Sequence, residues 1–279
     1  MSEITTSDFV SFDLETTGLN TADDKIIQFG VAVFERGQFA ARGARLVDPG
    51  RLIPKEVTEI TGIGDDDVAG HEPFVASLAA RVATKFASTP LIVGFNCLSF
   101  DMPILRRELA PLTIADNAPV LDVKVFVDWH HRGLRSRKLV TMATDVYTLA
   151  VDGQRAHSAA TDAQWTGQLL LAMIAKGLVP NDIDAALAAQ TAHKKTVDAE
   201  FARWSYWIYA DRKTQTLRLG AGKYCGYLLS EVPKNYFQYM RGLGDLPAAV
   251  VEELIRLNDA PLTTSTVVAE DVQWGGWSS

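Results

Sequence analysis

Residues 9–15 read Phe-Val-Ser-Phe-Asp-Leu-Glu, an apolar strand pattern that ends in two acids and runs into Thr16-Thr17-Gly18. In a strand, side chains at i and i+2 share a face, so Asp13 and Glu15 point the same way. Two carboxylates side by side resist joint ionisation unless a cation lies between them. A solvated acidic turn reads the same way in isolation, because charged residues are mostly exposed. Thr16-Thr17-Gly18 weighs against that reading: a turn with glycine lets backbone and hydroxyls approach a ligand closely.

Two further segments carry the same chemistry. Pro90-Leu91-Ile92-Val93-Gly94-Phe95 is a second apolar run, ending in Asn96. Ser99 is placed to cap a helix that carries Asp101 in its first turn and continues through Ile104-Leu105 to Leu109. Alone, an acid there is explained by the helix dipole. Downstream, Thr161 and Asp162 open an apolar-rich helical stretch that reaches Met173-Ile174, with Ser158 as a candidate cap and His157 five residues before Asp162. A histidine so placed can overhang a metal site without ligating it, and its ordinary pKa suits a general base near neutral pH. Alone, it reads as a surface histidine beside a capped helix. Asp13, Glu15, Asp101 and Asp162 gathered in one place would repel one another strongly. Hard oxygen ligands suit Mg²⁺ or Mn²⁺, and a pair of such ions is a recurrent device for cutting phosphodiesters.

Taken together and in order, Asp-x-Glu on a strand end, Asp at a helix start and His-x4-Asp at a third helix resemble the DEDD exonuclease superfamily in its histidine-containing branch. That branch holds DNA polymerase III epsilon-like proofreading subunits, ribonuclease T and oligoribonuclease. The tyrosine branch would place Tyr where this chain has Ser158. Segments between the motifs are similar too: Ile26-Ile27-Gln28-Phe29-Gly30, Ile60-Thr61-Gly62-Ile63, Val68, His71-Glu72-Pro73-Phe74, Val120-Leu121-Asp122 and Lys138-Leu139. The resemblance covers about residues 8–176. It implies an α/β, ribonuclease H-like domain with a mixed five-stranded sheet and flanking helices. It implies two Mg²⁺ (or Mn²⁺) ions, with Asp13, Glu15 and Asp162 on one, Asp13 bridging to the second, and Asp101 holding the site directly or through water. His157 is then the base that deprotonates the attacking water, and Thr16, Thr17 and Leu19 border the terminal nucleotide. The implied reaction is 3′-5′ exonucleolysis of single-stranded or frayed DNA, yielding nucleoside 5′-monophosphates. Other readings remain open: an exoribonuclease of the ribonuclease T or oligoribonuclease kind, since the same five groups serve both sugars, a subunit acting with a replication or repair partner, or a non-catalytic accessory factor.

A net charge of −7 argues against a protein held to nucleic acid mainly by a broad positive field, though not against one that grips a short 3′ end. One stretch, Trp129 to Lys138, is basic and free of acids. Arg132, Arg135, Arg137 and Lys138 there read equally as phosphate contacts or as a solvated loop. Two cysteines, Cys97 and Cys225, make no disulfide framework, and Cys97 reads as a small core residue. No apolar run approaches a membrane span and the first residues lack a signal-peptide pattern, so a reducing cytoplasm is the expected home.

The strand and helix pattern of an α/β layered domain continues to about residue 178: strands at 9–14, 25–35, 38–47, 91–95 and 119–122, and helices near 54–59, 73–87, 100–109, 139–147 and 159–176. Gly37 suits a hairpin turn. Gly177-Leu178-Val179-Pro180 marks a boundary to a small α+β domain, 179–262, followed by a tail, 263–279, with Trp274 and Trp277. Helix 183–202, a hairpin around Asp211-Arg212-Lys213, a Gly-Lys-x-x-Gly turn at 222–226 and a Val-Pro-x-x-Tyr helix start at 232–236 are expected in that domain, which resembles a module often found beside such exonucleases. Gly220-Ala221-Gly222-Lys223 lacks the spacing and hydroxyl of an NTPase phosphate loop and reads as a structural turn. The aromatics gathered here, Trp204, Tyr206, Trp207, Tyr209, Tyr224, Tyr227, Tyr236, Phe237 and Tyr239, read either as a core or as a stacking platform for single strands.

Overall fold

The computed structural model describes residues 2–131, 134, 136–149, 158–201, 207–210, 216–242 and 248–259. The expectations for Arg132, Arg135, His157, Trp204, Tyr206, the 211–213 turn and the 263–279 tail lie outside these residues. The chain divides into two compact units, Met1–Lys194 and Lys195–Ser279.

The first unit is built on strands β1 (Phe9–Thr16), β2 (Ile26–Glu35), β3 (Gln38–Leu46), β4 (Ile92–Gly94) and β5 (Val120–Asp122). They form one mixed sheet in the order β3-β2-β1-β4-β5. β1 pairs antiparallel with β2 and parallel with β4. β2 and β3 close through Arg36 and Gly37, both at positive φ (49° and 69°), the mirror-image turn whose twist suits a hairpin. Helices α1 (Lys55–Thr61), α2 (Asp65–Val68), α3 (Phe74–Ser77), α4 (Ala79–Ser88), α5 (Asp101–Leu109), α6 (Val123–His130), α7 (Leu139–Thr141) and α8 (Ala159–Ala175) belong to the same unit, as does α9 (Ile183–Phe201) up to Lys194.

β1 alternates between two cores, as a strand buried on both faces must. Val10, Phe12 and Leu14 pack with Phe74, Val82 and Phe86 and with Met102, Ile104 and Leu105 of α5. Phe9 packs with Phe34 and with Leu169, Leu170 and Met173 of α8. Ser11, on the Phe9 face, donates its hydroxyl to the Ala163 carbonyl of α8 at 2.6 Å. Asp13 and Glu15 continue that face, so the acids point to the side where α8 lies.

α8 approaches the sheet unusually closely at its first turn. Gly30 stands opposite Asp13 in the β1–β2 register, and a Cβ there would fall 2.1–2.5 Å from backbone atoms of Ala159 and Ala160. Two turns further on, Gly167 of α8 lies against the Phe34 ring, which a Cβ would meet at 2.3 Å. The α8 amide at Ala159 is capped by Gln28 Oε1 of β2 at 2.9 Å. Arg42 of β3 donates to Gln164 Oε1. Ten residues of α8 are buried, among them Trp165, Leu169 and Met173, which explains a helix apolar nearly all round.

Several expectations need correction. α5 starts at Asp101 with Phe100, not Ser99, at its N-cap and no side-chain cap bond. Ser158 does stand at the N-cap of α8, but its side chain makes no cap bond; Gln28, far away in sequence, does that work. The expected helix over 73–87 is two helices, broken at Leu78 (φ −122°), whose side chain is buried with Phe74, Val82 and Phe86. The expected helix over 139–147 continues past α7 as a π segment, Met142–Val146, with Tyr147 N donating to Met142 O. α6 was not anticipated, because Val123, Val125 and Val127 are β-branched and poor helix formers. Asp122 starts it by accepting from Lys124 N.

The second unit contains a two-stranded sheet of β6 (Ile208–Ala210) and β7 (Leu217–Leu219), a short 3-10 helix (Leu229–Glu231), α10 (Lys234–Gly242) and α11 (Ala248–Asp259). Trp207, Leu219, Leu229, Phe237, Met240, Val251 and Leu254 form its core.

Gly30→Ala is expected to push the first turn of α8 off β2, since backbone rather than a movable side chain occupies the space. Overpacking of this kind costs about 1–3 kcal/mol, so denaturant melts should show a loss in that range. Unchanged stability would mean that α8 does not rest on Gly30.

Candidate active site

Asp13 and Glu15 project from β1 beside its carboxyl end, and Asp162 comes from the first turn of α8. A carboxylate oxygen from each lies within 4.8 Å of the other two. All three are half-buried, so the cluster is walled by protein and still reaches solvent. Open α/β sheets typically bind ligands at the carboxyl ends of their strands.

Asp101 is not a member of that close group, and among the described residues it is nearly fully buried. Its position follows from strand lengths. β4 pairs with β1 only at Val10 and Ser11, so the later part of β1 has an open edge. Val10 N donates to Leu91 O across that edge, and Leu14 N, four residues on, donates to Asp101 Oδ1 at 3.1 Å. Asp101 thus completes the hydrogen bonding of β1 midway between Asp13 and Glu15. Asp122 stands behind it in the same chain of support. Its carboxylate accepts from Asn96 N (2.7 Å), Leu98 N (3.1 Å) and Lys124 N (3.0 Å), fixing the turn that leads into α5. Gln190 of α9 accepts from Asp122 N and donates to Val120 O, covering the edge of β5. Asn96 adopts a positive φ of 64° within this turn.

The charges are mutually unfavourable. Burial, then the charges of Asp101, Asp162 and Glu15, hold Asp13 well above the usual carboxylate range. Burial and Asp162 push Glu15 up to about 7. Burial and Asp122 raise Asp101 to about 7 against the opposing bond from Leu14 N. Burial raises Asp122 to about 6, opposed by its three amide donors. A set of hard oxygen donors at this spacing, destabilised as anions by one another, fits divalent cations: the positive charge removes the repulsion that keeps the acids protonated.

The loop after β1 is held from inside. Thr16 Oγ1 donates to Gly18 O, Thr17 Oγ1 donates to Asp24 Oδ1, and Asp24 Oδ2 accepts from Asn20 N. Arg107 of α5 donates to the Thr21 and Asp24 carbonyls. Thr16 and Thr17 are buried, whereas Leu19 is 70% exposed at the loop tip. Lys138 is exposed at the N-cap of α7, and Arg137 pairs with Asp128 at 3.2 Å. Cys97 is buried and both cysteines are free. No helix among the described residues is long and apolar enough to cross a membrane.

Gln28 and Asp122 were visible in the sequence as single polar residues in apolar strands, Ile-Ile-Gln-Phe and Val-Leu-Asp, but not as the cap of α8 and the anchor of the Asp101 turn. Gln190, in an Ala-rich helix, offered no such signal.

A mixed sheet in this order, with acids converging at the end of its central strand, defines the class as ribonuclease H-like, metal-dependent nucleases. Residues 10–170 match the family model RNase_T, described as exonuclease, and the chain belongs to that family. Among curated relatives, the DNA polymerase III PolC-type of Halalkalibacterium halodurans is 30% identical over 169 residues, covering 60% of this chain and 11% of that one. The 3′-5′ exonuclease DinG of Bacillus subtilis is 30% identical over 171 residues, 60% of this chain and 18% of that one. The DNA polymerase III subunit epsilon of Treponema pallidum is 34% identical over 102 residues, 37% of this chain and 46% of that one. In each case the match spans less than half of the relative's length. Solved structures share the fold: exonuclease X in complex with 5′ overhanging duplex DNA (18% identical, TM-score 0.51, 65% of this chain and 99% of that one) and the metal-free form of an E. coli exonuclease I–single-stranded DNA complex (17%, 0.54, 84% and 57%).

The raised carboxylates carry a consequence for stability. Without metal, the folded chain retains protons on Glu15 and Asp101 up to about pH 7, whereas the unfolded chain has released them by about pH 5. Stability therefore falls as pH rises through that interval. Divalent cations bind the ionised form and reverse the trend. Thermal melts in EDTA should show a midpoint that drops between pH 5 and 8, and the rise on adding Mg²⁺ should be larger at pH 8 than at pH 5. A midpoint indifferent to Mg²⁺ at pH 8 would remove the metal assignment.

Proposed function

We propose that this chain is a 3′-5′ exonuclease that releases nucleoside 5′-monophosphates from single-stranded or frayed DNA ends, DNA being favoured over RNA. The observation that carries this reading is the convergence of Asp13, Glu15 and Asp162 within 4.8 Å in a member of the exonuclease family. The DNA preference is supported by relatives named for DNA polymerase III and by fold neighbours solved with DNA. The same relatives support a replication or repair protein as partner. Two free cysteines suit a reducing cytoplasm as its location.

In this reading Asp13, Glu15 and Asp162, supported by Asp101, would hold the two Mg²⁺ or Mn²⁺ ions of such a site. Bound there, such ions would lower the pKa of a water and offset charge on the departing 3′ oxygen. Asp101 is a positioning residue as much as a ligand: its bond to Leu14 N sets the part of β1 that presents Asp13 and Glu15. His157, five residues ahead of Asp162, takes the proton from the attacking water. Thr16 and Thr17 shape the loop by their internal bonds, and the exposed Leu19 borders the terminal nucleotide. Lys138, with Arg135 nearby in sequence, contacts a phosphate of the incoming strand.

End-labelled single-stranded DNA, mismatched duplex DNA and RNA incubated with Mg²⁺ test this on one gel. A ladder shortening from the 3′ end is expected, fastest on single-stranded DNA and absent in EDTA. Asp13→Asn should lower the rate by roughly 10³-fold or more while the chain stays folded; hydrolysis retained in that variant would refute the site. His157→Ala should lower the rate by roughly 10²–10⁴-fold with Mg²⁺ binding preserved by calorimetry. Mg²⁺ binding lost along with the rate would instead make His157 a ligand, and an unchanged rate would remove its role as base.

A further inference from the structure

Among the described residues of the second unit, four tyrosines line up at the margin of its core. Trp207, Leu219, Phe237 and Met240 fill that core, so part of the local aromatic content is structural. Tyr227, Tyr224, Tyr236 and Tyr239 instead form a continuous row, with successive ring centroids 5.5, 4.8 and 6.2 Å apart. Tyr224 and Tyr236 pack partly on the core, while the two ends of the row, Tyr227 and Tyr239, are each 53% exposed. Large aromatics half in water at both ends of one row make an interaction surface.

The row is held rigidly. Lys223 N donates to Tyr236 Oη at 2.9 Å, and Gly222 (φ 80°) leaves no room for a Cβ, which would sit 2.3 Å from that oxygen. Arg218 donates to Gly226 O, and Gly226 N to Leu219 O, so the turn that carries Tyr224 and Tyr227 is tied back to β7. The exposed ammonium of Lys223 lies 5.6 Å from the Tyr224 ring centroid. Residues 220–241 hold Lys223, Lys234 and Arg241 against the single acid Glu231, in a chain whose net charge is −7; Arg241 also pairs with Glu252.

We propose that this tyrosine row is a second nucleic-acid site, which binds single-stranded DNA by stacking bases on Tyr227 and Tyr239 while Lys223 meets a phosphate. Rigid aromatic faces with a neighbouring cation are what a sequence-tolerant single-strand site requires, because every base offers a π-face. Local positive charge on an acidic chain fits a polyanion better than an acidic peptide or a second copy of this chain. The choice of DNA as ligand rests on the exonuclease reading above.

Binding of a 5′-fluorescein-labelled oligodeoxythymidine to the full chain in EDTA, read by anisotropy, tests the row without hydrolysis. The double variant Y227A/Y239A should weaken Kd on the order of tenfold or more, at an unchanged melting midpoint because both rings are outside the core. Y227F/Y239F should bind as the parent does, since stacking needs the ring and not the hydroxyl. K223A should flatten the salt dependence by about 0.7 in log–log slope. Parent-like affinity in the alanine pair overturns the proposal and leaves the surface to a protein partner; equal loss in the phenylalanine pair overturns stacking. A chain that releases nucleotides in Mg²⁺ while the alanine pair binds normally sinks only the row. A chain that binds through the row yet releases none sinks only the exonuclease reading.

Discussion

The first turn of α8 rests on bare backbone at Gly30, and the geometry of the acidic cluster depends on that contact. Gly30 pairs with Asp13 across the β1–β2 ladder, so the place where helix meets sheet is beside the acid that the cluster is built around. Gln28 caps the helix from the same strand, and Ser11 ties the next turn down through Ala163. Asp162 is therefore held near Asp13 and Glu15 by covalently ordinary parts: a missing side chain, one amide and one hydroxyl. The arrangement is rigid because each fastening comes from a different residue of the sheet.

The same economy explains why acids recur in depth. Asp122 accepts from three backbone amides, and Asp101 from the open-edge amide of Leu14. Those bonds let two buried carboxylates serve as struts for a turn and a strand edge. Asp13, Glu15 and Asp162 are the ones that meet solvent together. Their repulsion is the stored disadvantage that cation binding relieves, so affinity for metal and the instability of the metal-free cluster are two views of one charge arrangement.

Much of this was legible in the chain. The period-2 run ending Phe-Asp-Leu-Glu gave β1 and the shared face of its acids, because alternation and carboxylate placement are local properties. The five strands and the long helices followed from the same reasoning. The caps did not. Ser99 and Ser158 have the right chemistry next to helix starts, yet the burial of α8 against β2 brings a glutamine from 131 residues away into the capping position, which no local pattern encodes. α6 was hidden for a related reason: its valines favour strands locally, and its start is set by Asp122, whose other two bonds come from the loop after β4. Lys138 and Leu19 are exposed, while Thr16 and Thr17 are buried and turn inward to build the loop after β1.

A site made of acids sits awkwardly with a polyanionic substrate. Bound cations settle the local conflict at the scissile phosphate, but they do not hold the rest of the strand. In the first unit several cations are engaged in maintaining structure: Arg51 with Asp23, Lys25 with Glu108, Arg107 with the carbonyls of the loop after β1, and both Lys124 and Arg137 with Asp128. Long-range attraction is weak for a chain of net charge −7. Retention of substrate must then come from contacts that work without a strong positive field, and stacking on aromatic rings is the contact of that kind. In the proposal above, the tyrosine row of the second unit is such a contact, made of aromatic faces and Lys223 rather than carboxylates. Chemistry and grip can then be placed on different parts of the chain because they ask for opposite electrostatics.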